Sequence, residues 1–127
     1  MTQIFLMPDQ KAALVKAYTL FRTRPRHSLQ DLANEINSSK LLGFTDTAAK
    51  LQEEYNQVVT GYAFLTDTAA NAEKLGYKDV ADLLVKMSSG LVGGERKMKS
   101  IPADIVERIS DTVYDLINQQ TFFDLLK

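Results

Sequence analysis

The chain has no cysteine and no tryptophan, one histidine, three prolines and six glycines in 127 residues. Without cysteine there are no disulfides, no thiolate metal sites and no cysteine nucleophile. The lack suits a reducing compartment, and we expect a cytoplasmic protein. The opening "MTQIFLMPDQK" has no basic n-region, and its short apolar run is stopped by Pro8, so it does not read as a secretory signal. Nowhere does the chain approach the roughly 20 apolar residues that span a bilayer. No membrane association is expected.

Hydrophobic residues make up 45% and charged residues 24%, the proportions of a soluble globular protein. One domain spanning 1–127 can bury a single core at this length. The net charge of −1 is unevenly spread: residues 1–27 carry Lys11, Lys16, Arg22, Arg24 and Arg26 against Asp9 alone, while residues 28–95 hold twice as many acids as bases. A near-neutral total disfavours a dedicated nucleic-acid binder, although local basic clusters remain available to anions.

Hydrophobic periodicity is helical throughout. After Pro8 and Asp9, residues suited to a first helical turn, Leu14, Ala17, Tyr18 and Phe21 share one face. Beyond Pro25, Ser28 and Asp31 have the spacing of an N-terminal cap, Leu29, Leu32, Ala33 and Ile36 form an apolar side, and Gly43 supplies a stop. Leu51, Tyr55, Val58, Tyr62, Leu65, Ala69 and Ala72 then alternate spacings of four and three. That heptad seam predicts one long helix over about residues 46–75, roughly 45 Å in length, with Gly61 as a place where it bends. "KDVADLLVKM" predicts a fourth helix burying Val80, Leu83, Leu84 and Met87, and Val106, Ile109, Val113 and Leu116 a fifth. No segment alternates like a strand. The expected fold is all-α: an antiparallel bundle of four to five helices built around the long one.

"LLGFTDTAAKL" (41–51) and "KLGYKDVADLL" (74–84) share Leu-Gly-aromatic-x-Asp-x-Ala at an offset of 33. Tetratricopeptide repeats have a similar period, but no proline closes either unit and the long seam leaves no turn between paired helices. The echo therefore reads as one helix–turn–helix device used twice.

The sequence offers no catalytic constellation, no metal set and no cofactor motif. His27 sits between Arg26 and Ser28 with no acidic neighbour in sequence to orient it, and reads as a surface residue. Asp104, Glu107, Asp111 and Asp115 line up opposite the apolar stripe of the last helix, as a solvated face does. "SSGLVGGERKMKS" (88–100) lacks the G-x-x-x-x-G-K-[ST] spacing of a phosphate loop. It is expected to be a mobile connector. The interesting alternative is an anion site, formed by Arg96, Lys97 and Lys99 with Arg22, Arg24 and Arg26 should the two clusters fold together.

Phe122, Leu125 and Leu126, beside Phe123, fall on the acidic side if the last helix continues at 100° per residue. The segment must either fold back over the bundle or offer an apolar patch. Two functions follow. The first is a non-enzymatic protein–protein interaction, adaptor or regulatory protein, self-associating, that uses Phe122, Phe123, Leu125 and Leu126 together with the seam tyrosines Tyr55 and Tyr62. The second is an anion-binding regulator for a nucleotide-like ligand or nucleic acid through the two basic clusters.

Overall fold

Local sequence chemistry accounts for where each helix begins and ends in the computed structural model, which describes residues 6–23 and 27–118. Helix α1 (Pro8–Arg22) starts on Pro8, and the Gln10 side chain reaches back to accept the Met7 amide at 2.8 Å. Helix α2 (Leu29–Leu41) is capped as its sequence predicts, with Ser28 Oγ accepting the Asp31 amide at 3.1 Å. Helix α3 (Thr45–Lys74) is a single helix of 30 residues. Helices α4 (Lys78–Ser100) and α5 (Ala103–Asn118) complete the described chain, which has no strand.

The helices form an all-α bundle. α3, α4, α5 and α1 pack around a ring, each against the next, with α1 also meeting α4 across the centre and α5 lying diagonally opposite α3. Phe21, Leu14, Leu65, Leu84, Met87, Leu91, Ile109 and Leu116 are fully buried between these four helices. Each such side chain contributes about 1.5–3 kcal/mol of apolar burial. Tyr18 of α1 and Ser110 of α5 share a hydroxyl–hydroxyl hydrogen bond of 2.6 Å at the edge of the core.

Helix α2 stands outside this ring. It touches α3 and the far part of α4, but neither α1 nor α5. Joined to α3 by a tight turn, its 13 residues lie along the first half of α3. Leu32, Ile36 and Ala48 are buried there but belong to no part of the main core. The bundle therefore carries a two-helix arm, α2 with the N-terminal half of α3, whose interior is thin.

One expectation is corrected in detail. Residues 88–100 are no mobile connector: α4 continues helically through Gly93, turns at Gly94 (φ 72°, ψ −161°) and is helical again to Ser100. The reason is burial. Leu91 is wholly buried, and Gly90 lets the returning chain sit close, since a methyl there would lie 2.8 Å from Met98 Sδ and 3.0 Å from Phe21 Cε1. Gly61, costly inside a helix on propensity alone, likewise marks a close approach. A Cβ at that position would lie 3.3 Å from Leu91 Cδ1 and 3.7 Å from Ala17 Cβ.

Candidate functional site: an apolar arm tip, a groove and a basic junction

The repeated Leu-Gly-aromatic sequence builds the same turn twice. After α2, the Phe44 amide donates to the Ser39 carbonyl (2.8 Å) and the Gly43 amide to that of Lys40 (3.2 Å). After α3, Tyr77 donates to Ala72 (2.9 Å) and Gly76 to Glu73 (3.0 Å). Both patterns are the paired closure of a Schellman motif around a left-handed glycine. Asp46 and Asp79 then sit in the first turn of the following helices, where the helix dipole favours a carboxylate.

The two turns differ in what they do with their apolar side chains. Tyr77 packs against the main core, while its counterpart Phe44 is 58% exposed. Leu75 and Leu42 are both exposed, so the turn itself explains them. Leu41 is 88% exposed, and the other turn places Lys74 at that position, so the geometry makes no demand for leucine. Leu41 and Phe44, whose exposure neither core nor turn requires, thus form with Leu42 an apolar tip at the end of the arm.

A groove of about 510 Å³ runs between α1 and α3. Ala13, Ala17, Leu20, Gly61 and Phe64 give it apolar walls, with Lys16, Glu53, Asn56, Gln57 and Thr60 along the rim. It lies on the side of α3 away from α2.

A third feature lies where α2 begins. Gly94 approaches the α2 N-terminus so closely that a Cβ would lie 2.5 Å from Ser28 N and 2.8 Å from His27 C. Gly94 thus sets the start of the segment bearing Arg96, Lys97 and Lys99 against the His27–Ser28 backbone, and Arg22 at the end of α1 is the other described member of the two clusters. All four of these cations are exposed. Lys99 pairs with Glu95 at 3.2 Å, which weakens its claim on a ligand. Glu35 Oε1 stands 3.6 Å from His27 Nδ1, an acidic neighbour that sequence adjacency missed because it comes from the second turn of α2. Arg24 and Arg26 lie outside the described residues.

Of the proposed contact tyrosines, Tyr55 is half-buried and Tyr62 is 40% exposed. Phe122, Phe123, Leu125 and Leu126 fall outside the described residues. Asp104, Glu107, Asp111 and Asp115 all face solvent on α5. Among the described residues no three His, Asp or Glu side chains gather in a way that could hold a metal ion, and no helix is long and apolar enough to cross a membrane.

The arm tip was missed from sequence although its signal was there. Stepping 100° per residue from Ile36 puts Leu41 about 140° away, well off the stripe that α2 buries. No family model, curated protein or solved structure matches the chain.

Proposed function

We propose that this is a non-enzymatic protein–protein interaction or regulatory protein that self-associates and makes its contacts through the tip of the α2–α3 arm. The observation that carries the reading is the exposure of Leu41, Leu42 and Phe44 at one end of a slender projection. Contiguous apolar side chains rimmed by polar ones mark contact surfaces on soluble proteins. Tyr62 and the C-terminal Phe122, Phe123, Leu125 and Leu126 are further contact candidates in the same reading. The cysteine-free sequence suits a cytoplasmic setting for it.

The test is a Leu41→Gln/Phe44→Gln variant. Both positions are exposed, so helicity and melting temperature should stay close to those of the unsubstituted protein. Association, read by light scattering on a sizing column and by pull-down, should fall. Unchanged association in a folded variant would remove the tip from the proposal.

The basic junction favours a second reading, an anion-binding regulator acting through Arg22, Arg96, Lys97 and Lys99 with Arg24 and Arg26. Its support is the contact of Gly94, two residues before Arg96, with the His27–Ser28 backbone. Guanidinium groups suit phosphate because they can bind it in a bidentate fashion. Binding of a labelled oligonucleotide should then weaken steeply with added salt, and a flat response would exclude nucleic acid as the ligand.

A further inference from the structure

The α1–α3 groove has apolar walls, Ala13, Leu20 and Phe64, that the rest of the bundle only half covers. Its two ends are distinct. α4 folds back on α3 about the Gly76 turn, which brings Leu91 onto Gly61. Phe21 meets Gly90 and, further along both helices, His27 meets Gly94, so α1 runs parallel to α4 and antiparallel to α3. Ala13 and Phe64 therefore mark one end of the groove, and Leu20 and Glu53 the other, about 16 Å away along α3. Lys16 stands on the rim nearer the first end and Glu53 at the second. Both are exposed, and neither enters an ion pair among the described residues.

The described chain stops close to the first end. Ile101, just before α5, shares the space over Gly90 with Phe21, and Ser110, further along α5, bonds to Tyr18. α5 thus runs back along α1 toward its start, and it packs on α1 but not on α3. Only α1 separates Asn118 from the Ala13 end of the groove. Residues 119–127, "QQTFFDLLK", follow outside the described residues. From Asn118 to Lys127 an extended chain reaches about 30 Å. A helix with its side chains is about 10–12 Å across, so this segment can pass over α1 and still lie along the groove. A chain arriving at the Ala13 end meets Lys16 first and Glu53 last. The segment presents Asp124 before Lys127, the opposite charges in that order, beside four large apolar side chains. The other terminal stretch outside the described residues, 1–5, has no charged side chain to match the rim.

We infer that the C-terminal segment folds back over α1 and fills the α1–α3 groove of its own chain. Phe122, Phe123, Leu125 and Leu126 lie against Ala13, Leu20 and Phe64, with Asp124 toward Lys16 and Lys127 toward Glu53. Apolar burial drives the docking, and the two charges fix its direction. The inference goes beyond the arm-tip reading and holds whether or not the tip self-associates. A partner that takes the same C-terminal side chains must first draw them out of the groove.

The test uses the full chain, whose lack of cysteine lets two introduced thiols report a single contact. Glu53→Cys/Lys127→Cys is compared with Asp82→Cys/Lys127→Cys. Asp82 is exposed near the start of α4, beside the end of α5, and is the nearer target for a segment that is merely tethered. In dilute protein under mild oxidation, the Glu53 pair should close within one chain about tenfold or more faster than the Asp82 pair, because docking raises the local thiol concentration above what the linker supplies. Adding Phe123→Asp/Leu126→Asp should bring the Glu53 pair down to the rate of the Asp82 pair. Circular dichroism of the reduced proteins checks that the bundle stays folded. Equal rates for the two pairs, or a rate indifferent to Phe123→Asp/Leu126→Asp, would overturn the inference. A disulfide formed only between chains would also overturn it and assign the groove to a second copy. The absence of any disulfide would overturn it too, and leave the groove to a different protein.

Discussion

Substituting Gly94 with alanine tests the account of how the arm is fixed to the bundle. Two independent costs meet at this residue. Its φ of 72° and ψ of −161° lie in a region open in practice only to glycine, and forcing an L-residue there costs about 1–3 kcal/mol. The added methyl would also stand 2.5 Å from Ser28 N and 2.8 Å from His27 C. Those are backbone atoms at the start of α2 and cannot rotate aside as a side chain does. Relief requires α2 to move by about an ångström, and overpacking of this kind costs about 1–3 kcal/mol. The sum is about 2–6 kcal/mol, with a midpoint of about 4. At roughly 3–6 °C per kcal/mol for a domain of this size, that midpoint lowers the melting temperature by about 12–24 °C.

Gly43 supplies the control. It also has a positive φ, 80°, but a Cβ there meets nothing within 4 Å, so Gly43→Ala carries only the left-handed conformational cost of about 1–2 kcal/mol. Thermal unfolding followed by circular dichroism at 222 nm separates the two. Equal melting temperatures for Gly94→Ala and Gly43→Ala would refute the claim that the His27–Ser28 backbone presses on Gly94.

Tyr18→Phe removes one partner of the 2.6 Å bond to Ser110, and should cost about 1 kcal/mol in urea unfolding. Adding Ser110→Ala to that variant should cost little more, because the partner hydroxyl has already lost its bond. Amide hydrogen exchange should find the arm (29–41 and 45–56) opening at lower free energy than α4 from Val80 to Leu91, since few buried contacts hold α2 in place. Equal protection in arm and bundle would contradict the separation of the two cores.

The helices were legible in the sequence because their signals are local. Pro8, the Ser28 cap and the Gly43 and Gly76 stops act within a turn of themselves, and the 51–72 seam keeps its phase across Gly61. Residues 88–100 defeated the same reading. Gly90 and Gly94 look like flexibility in one dimension, yet each is occupied by a neighbour distant in sequence: Phe21 and Ile101 at Gly90, and His27 and Ser28 at Gly94. Glycine in a sequence marks permissiveness, and only tertiary contact distinguishes a loose joint from a tight one. The site was harder still. The echo at 41–51 and 74–84 correctly announced two equal turns. That Tyr77 would be covered and Phe44 left bare depends on which helices stand nearby. A helix drawn as a stripe and a face does not carry that information.

The continuity of α3 has a mechanical consequence. One unbroken rod serves both as a wall of the bundle and as the spine of the arm, and it crosses α1 and α4 where Ala17 and Leu91 close on Gly61. From that crossing to the tip at Thr45 is 16 residues, a lever of about 24 Å, so a tilt of about 5° displaces the tip by about 2 Å. Any load at Leu41, Leu42 or Phe44 is therefore delivered, with a mechanical advantage of length, to the Gly61–Leu91 fulcrum. Conversely, a methyl-sized change at the fulcrum is amplified where the arm ends.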